Sequence, residues 1–276
     1  MDVMDFDAAT RQRMAAIEAN WDERVPIHDA SRFYAREARS WFPAYEWEDL
    51  GDPAGRDVVH LQCHLGTETL AFAQGGARTV VGLDLSAASC EAARRRAAAA
   101  GAEIEYVQAN VYDAAEALGG RKFDIVYTGK GALVYLPDLT GWAEQVAALL
   151  RPGGIAYIVE FHPVFHALGV MPGGDTLLLR HDYLAGRGPH EKDATYTYTD
   201  GPPLTNATTS YEWSHGLGEV INALVSAGLT ITSLRESDEI PWPNWPDMEQ
   251  TPEGFFRRPT SVPRIPLLYA LRAAAA

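Results

Sequence analysis

Between Val58 and Leu70 the chain reads VVHLQCHLGTETL, and 18 residues after Gly66 a second apolar run, TVVGLDL, arrives at Asp84. A strand ending near His60, a loop holding Gly66 and a helix starting near Thr67 would present loop amides and a helix N-terminus to a ligand. An acid at the end of the next strand can accept both hydroxyls of a ribose. Gly66 alone says little. Strand, loop, helix, strand and terminal acid in register point to a nucleotide-like cofactor. A dinucleotide needs G-x-G-x-x-G so that the backbone can approach its pyrophosphate. Here Gln62, Cys63, His64 and Leu65 stand before Gly66 and would crowd that group.

The spacing therefore favours a cofactor with a ribose and an adenine but no phosphate, of which S-adenosylmethionine is the common one. Glu160 closes the run GIAYIVEF, which should be buried on both faces and end at the edge where doubly wound folds place ligands. A carboxyl buried there among Phe161 and Phe165 has its pKa raised and becomes the expected base, with His162 and His181 as secondary candidates. The pairs His60/His64 and His162/His166 have the i, i+4 spacing of metal ligands. The first pair spans a strand end and a loop, and Pro163 interrupts the second, so histidines that are structural or line the substrate are expected and no metal site is. Trp21, Tyr34, Phe161, Phe165, Tyr183, Tyr211, Trp213, Trp242 and Trp245 fall in segments that should cover the sheet edge. Most read as lid packing, and a few as the wall of an apolar pocket.

These residues need a scaffold. Residues 1–50 read as an amphipathic helical cap, with Met14, Ile17, Trp21 and Val25 at helical spacing and SRFYAREARSWF continuing the period. From residue 57, short buried strands alternate with helices, the mark of a parallel sheet covered on both faces. Residues 51–162 form this cofactor-binding core. Residues 163–210 carry Gly, Pro, Thr and Tyr without a helical period and read as an inserted lid. Residues 211–276 return to the core through HGLGEVINALVSAG, LTITSLRES, a Trp/Pro-rich loop and PLLYALRA. The expected fold is one α/β domain, Rossmann-like and doubly wound. Its sheet should have seven mostly parallel strands and an antiparallel last strand, with cap and lid added.

Composition narrows the partners. With 276 residues, a net charge of −14 and a pI near 4.9, the chain would repel a phosphate backbone, so nucleic acid is not expected as substrate. Cys63 and Cys90 are too few for a disulfide framework, the first residues lack the pattern of a signal peptide, and no apolar run reaches 18 residues. A cytoplasmic protein acting on a small molecule is expected, with homo-oligomerisation left open.

On these motifs the sequence resembles the class I S-adenosylmethionine-dependent methyltransferases. VVHLQCHLGTETL stands at the first motif of that family, VVGLDLS at the acidic second, VQANVYD at the third, FDIVYTGKGAL at the fourth and LLRPGGIAYIVEF at the strand that follows. The resemblance implies that Gln62 and Gly66 line the methionine part and Asp84 the ribose hydroxyls. Leu85 would lie on the adenine face, Asn110 and Val111 at the adenine amino group, and Gly129 and Lys130 under the sulfonium. Trp21, Arg24 and Tyr34 would belong to a cap closing over the methionine carboxylate. His60 stands where the family has an acid near the methionine ammonium, which leaves backbone carbonyls near Gln62 and Gly129 as its expected partners. The HLQCH variant is similar to a subgroup acting on small molecules of secondary metabolism.

A fainter similarity is to actinobacterial geranyl diphosphate C-methyltransferases. It implies that Glu160 quenches a terpenoid carbocation. Arg180, Arg187, Lys192, Arg257 and Arg258 would then hold a diphosphate, with Mg²⁺ only in that case. O- or N-methylation of an aromatic natural product is the alternative. From other classes, a nicotinamide-dependent oxidoreductase and a catalytically silent binding module compete.

Overall fold

The computed structural model describes residues 6–169 and 178–276. Asp7 starts α1 (Ala8–Ala30) by accepting from Thr10 N at 2.6 Å, a side chain taking up an otherwise unsatisfied first-turn amide. Two 3₁₀ turns, Phe33–Ala35 and Ala38–Trp41, and α2 (Ala44–Leu50) complete the cap. SRFYAREARSWF is thus not the continuous helix its period suggests, because the chain turns out of α1 at Ser31.

The core follows as β1 (Asp57–Leu61), α3 (Thr67–Gln74), β2 (Thr79–Asp84), α4 (Ala87–Ala99), β3 (Glu105–Gln108) and α5 (Ala114–Ala117). It continues as β4 (Phe123–Thr128), α6 (Leu139–Leu149), β5 (Leu150–Phe161) and α7 (Pro163–Leu168). A two-stranded hairpin, β6 (His190–Asp193) and β7 (Thr209–Glu212), precedes α8 (Leu217–Ser226) and β8 (Thr230–Ser237). A small ribbon, β9 (Glu249–Gln250) and β10 (Phe256–Arg257), then leads to β11 (Leu268–Ala274).

Seven strands form one sheet in the order β3-β2-β1-β4-β5-β11-β8, with β11 antiparallel to both neighbours. Val58, Val59 and Leu61 are wholly buried, as a strand covered on both faces requires. Trp142, Val146 and Leu224 pack one face, and Phe72, Tyr127 and Tyr157 the other, with Trp41 and Phe42 of the cap. Strand order reverses beside β1, so a crevice opens above the C-terminal ends of β1, β2 and β4. The cap lies over it. Asp29 of α1 meets Arg96 of α4 at 2.7 Å, and Glu23 accepts the amides of Thr205, Asn206 and Ala207 from the insertion. The insertion itself contains α7, too short at six residues to show a period, and the β6–β7 hairpin, which runs past residue 210 to Glu212. The middle of the expected lid, residues 170–177, and the first five residues of the cap lie outside the described residues.

Candidate active site

The crevice is a cavity of about 620 Å³. One end is built by the loop after β1. Gln62 and His64 adopt φ of 57° and 47°, and Gly66 follows at 70°. Two non-glycine residues therefore hold the left-handed backbone that glycines would take without strain, a condition that persists where surrounding bonds impose it. Cys63 N donates to Leu83 O at 3.0 Å, Gly66 N to Cys63 O at 2.9 Å, and the Gln62 amide to Ala132 O at 2.9 Å. Gly66 itself does not line the cavity, contrary to the sequence expectation. It is required beneath the loop, since a Cβ there would stand 2.4 Å from the Tyr106 hydroxyl.

Asp84 does face the cavity. Its Oδ2 accepts from His64 N at 2.8 Å and its Oδ1 from Ser86 N at 2.9 Å. Burial pushes its carboxyl up to about 6, against the pull of those two amides. Leu85, Asn110 and Val111 continue the wall. Asn110 Oδ1 is already engaged by Tyr112 N at 3.1 Å, so its side chain also caps the following turn.

Gly129 lies opposite, where an added Cβ would be 3.3 Å from His60 Nε2. His60 bonds Thr69 Oγ1 through Nδ1 at 2.8 Å, and burial lowers its pKa to about 4, so it is a neutral ring at neutral pH. Lys130 borders the cavity, but its ammonium turns to Glu46 Oε1 at 2.9 Å and Trp41 O at 3.3 Å. Its charge is spent there rather than on a ligand. Trp21 and Tyr34 line the cavity from the cap, Tyr34 through a hydroxyl 2.5 Å from that of Tyr198. Arg24 does not line it; its guanidinium lies 5.1 Å from the centre of the Trp21 ring.

The far end is aromatic, with Phe161, Phe165, Tyr198 and Trp242, and carries His166, His181, His190, Lys192 and Glu212 as polar groups. Glu160 is buried, as expected. Its carboxylate accepts from four backbone amides, Gly131 at 2.5 Å, Phe161 at 2.6 Å, and Ala132 and Leu133 at 2.8 Å. Burial raises its pKa to about 7 while those donors pull it down. Glu160 thus braces the TGKGAL loop; it lies off the main cavity wall and lines a small adjoining pocket with Phe161, His166, His181 and Glu212. His162 caps α7, accepting from Val164 N at 3.1 Å, and meets Glu236 at 3.0 Å, also off the cavity. His181 reaches the rim, its ring centre 4.4 Å from that of His190. Of the cations assigned to a diphosphate, only Lys192 lines the cavity, and it pairs with Glu212 at 3.3 Å. Arg187 and Arg258 pair with Asp182 and Asp247, and Arg180 donates to the Leu168 and Leu178 carbonyls. Among the described residues, no cluster of three or more His, Cys, Asp or Glu could hold a metal ion.

Sequence reasoning missed Glu68, Tyr198 and Glu212, and set His166 aside as half of a metal spacing. Glu68 lies inside the quoted GTETL, where a second acid near the cofactor loop was the available signal. Tyr198 and Glu212 come from the insertion, and only folding brings them to the crevice.

A doubly wound sheet with a left-handed loop, a buried acid two strand ends along and a long aromatic extension suits a cofactor with a nucleoside and an amino-acid tail. Gln62 Oε1, buried without a partner, offers the tail an acceptor. The comparisons agree. Residues 58–154 match the family model described as a methyltransferase domain. The chain is 32% identical over 195 residues to a ubiquinone biosynthesis O-methyltransferase of Chelativorans sp., covering 67% of this chain and 74% of that one. It therefore belongs to the S-adenosylmethionine-dependent methyltransferases, and is an enzyme of that class. The fold is that of a methyltransferase from Mesorhizobium loti (TM-score 0.56, 23% identity, 84% of this chain and 98% of that one). The CcbJ methyltransferase from Streptomyces caelestis also shares it (TM-score 0.61, 16% identity, 95% and 99%). Membership removes the oxidoreductase reading. No described helix is long and apolar enough to cross a membrane.

Proposed function

We propose that the protein transfers a methyl group from S-adenosylmethionine to a hydroxyl oxygen of a small aromatic molecule. The observation that carries this reading is the continuity of one cavity, from Asp84 and Asn110 at one end to Phe161, Phe165 and Trp242 at the other. Bound at the Asp84 end, the cofactor would supply an electrophilic methyl on a sulfonium. The chain supplies alignment for in-line displacement, an apolar setting and a place for the acceptor's proton. His166 is the group best placed to take it. Its ring lies 6.0 Å from both Phe161 and Phe165 between centres, and its Nε2 is buried without a partner. Burial lowers its pKa to about 4 while the charge of Glu212 opposes the shift, so the ring is neutral and can accept a proton that Glu212 then stabilises.

Oxygen as the target is supported by the relative named an O-methyltransferase. Prenyl diphosphate C-methylation is not retained, because four of the five expected cations are off the cavity wall. Mg²⁺ loses its rationale with it. The test is to supply methyl-¹³C cofactor with a panel of phenols and catechols. The ¹³C shift of the product methyl separates O- from N- and C-methylation. An N- or C-methyl product would overturn the reading.

A further inference from the structure

His60 leaves a charge to be accounted for. The cofactor's amino-acid tail ends in an ammonium, and the ring at the end of β1 is neutral, buried and tied to Thr69. Lys130 and Glu46 cancel one another beside it.

Glu68, the second residue of α3, lies on the same stretch of cavity wall. Its Oε2 accepts from the Thr67 hydroxyl at 2.5 Å. Its Oε1 is 3.7 Å from where a Cβ on Gly129 would stand, so the carboxylate faces the TGKG loop across the cavity. Among the described residues no ion pair includes it, and its charge bears on the neutral His60 ring, whose pKa it raises against the effect of burial. The other two carboxylates on the cavity wall are accounted for: Asp84 accepts two amides, and Glu212 meets Lys192. An anion held partly out of water without a counter-ion favours a cationic ligand.

We propose that Glu68 binds the α-ammonium of the cofactor's amino-acid tail, so that the acid missing from the end of β1 is supplied instead from the first turn of α3. Gln62 and His64, in the loop that leads into α3, hold left-handed backbone, and Glu68, the second residue of that helix, reaches to the level of Gly129. The backbone carbonyls near Gln62 and Gly129, expected from sequence to hold this group alone, become secondary partners.

A first-turn acid also stabilises its own helix through the macrodipole, and a test must separate the two roles. Two ligands do so: S-adenosylhomocysteine carries the amino-acid tail, and 5′-methylthioadenosine has the same nucleoside and thioether without it. In calorimetric titrations, Glu68→Gln should weaken S-adenosylhomocysteine tenfold or more and leave 5′-methylthioadenosine within twofold. Glu68→Asp, which withdraws the charge by one methylene, should give the same pattern at smaller amplitude and serves if the glutamine variant does not fold. Equal effects on the two ligands, including no effect on either, would overturn the proposal.

Discussion

The main-chain N–H of His64 donates to Oδ2 of Asp84 at 2.8 Å, so the loop that leaves β1 is tied to the acid that ends β2. One carboxylate thus shapes the cofactor loop and remains on the cavity wall. Each oxygen has a lone pair to spare beyond its amide, which is what a ribose diol needs.

Asp84→Ala should weaken S-adenosylhomocysteine by tenfold or more, since two charge-assisted hydrogen bonds are worth roughly 1.5–3 kcal/mol each. Part of the loss will come from the released His64 amide. Far-ultraviolet circular dichroism should be unchanged, and unaltered affinity would remove Asp84 from the site.

Glu160→Gln should act on stability before chemistry. The amide nitrogen would face two of the four backbone donors that the carboxylate now satisfies. Leaving two buried N–H groups unpaired costs about 2–6 kcal/mol, at about 1–3 for each. A lower urea midpoint at unchanged slope is the expected outcome. A wild-type midpoint with a hundredfold loss of turnover would return Glu160 to the role of base.

His60 should make the fold sensitive to acid. Its folded pKa is lowered to about 4, so between pH 6.5 and 4 the unfolded chain binds a proton that the folded chain refuses. That contribution to stability is present above 6.5 and lost as pH falls through the window. His60→Gln removes the titration, so the variant should gain on the wild type by up to about 3 kcal/mol between pH 7 and 4. Unfolding free energies measured at both pH values check this; a constant difference contradicts a buried neutral ring.

The legible part of the molecule was the part written in local pattern. The buried runs at Val58–Leu61 and Ile155–Val159, the helices between, and the acid at Asp84 each follow from periodicity and position within a few residues. The antiparallel finish also followed, because two strands come after the last helix with a long connection between them. What escaped depends on long-range pairing. Lys130 borders the cavity, but nothing local shows that its ammonium turns to Glu46 in the cap. The four backbone amides that hold Glu160 are announced by no side-chain pattern. Gly66 was taken for a ligand contact when the constraint on it is the Tyr106 hydroxyl from β3.

The central claim, that this crevice holds a nucleoside with an amino-acid tail and no pyrophosphate, is tested most directly by thermal unfolding with candidate ligands. S-adenosylhomocysteine at about 100 times its dissociation constant should stabilise the protein by roughly 2.7 kcal/mol, seen as a raised midpoint, while NAD(H) at the same concentration leaves it unmoved. Stabilisation by NAD(H) without any by S-adenosylhomocysteine would contradict the account.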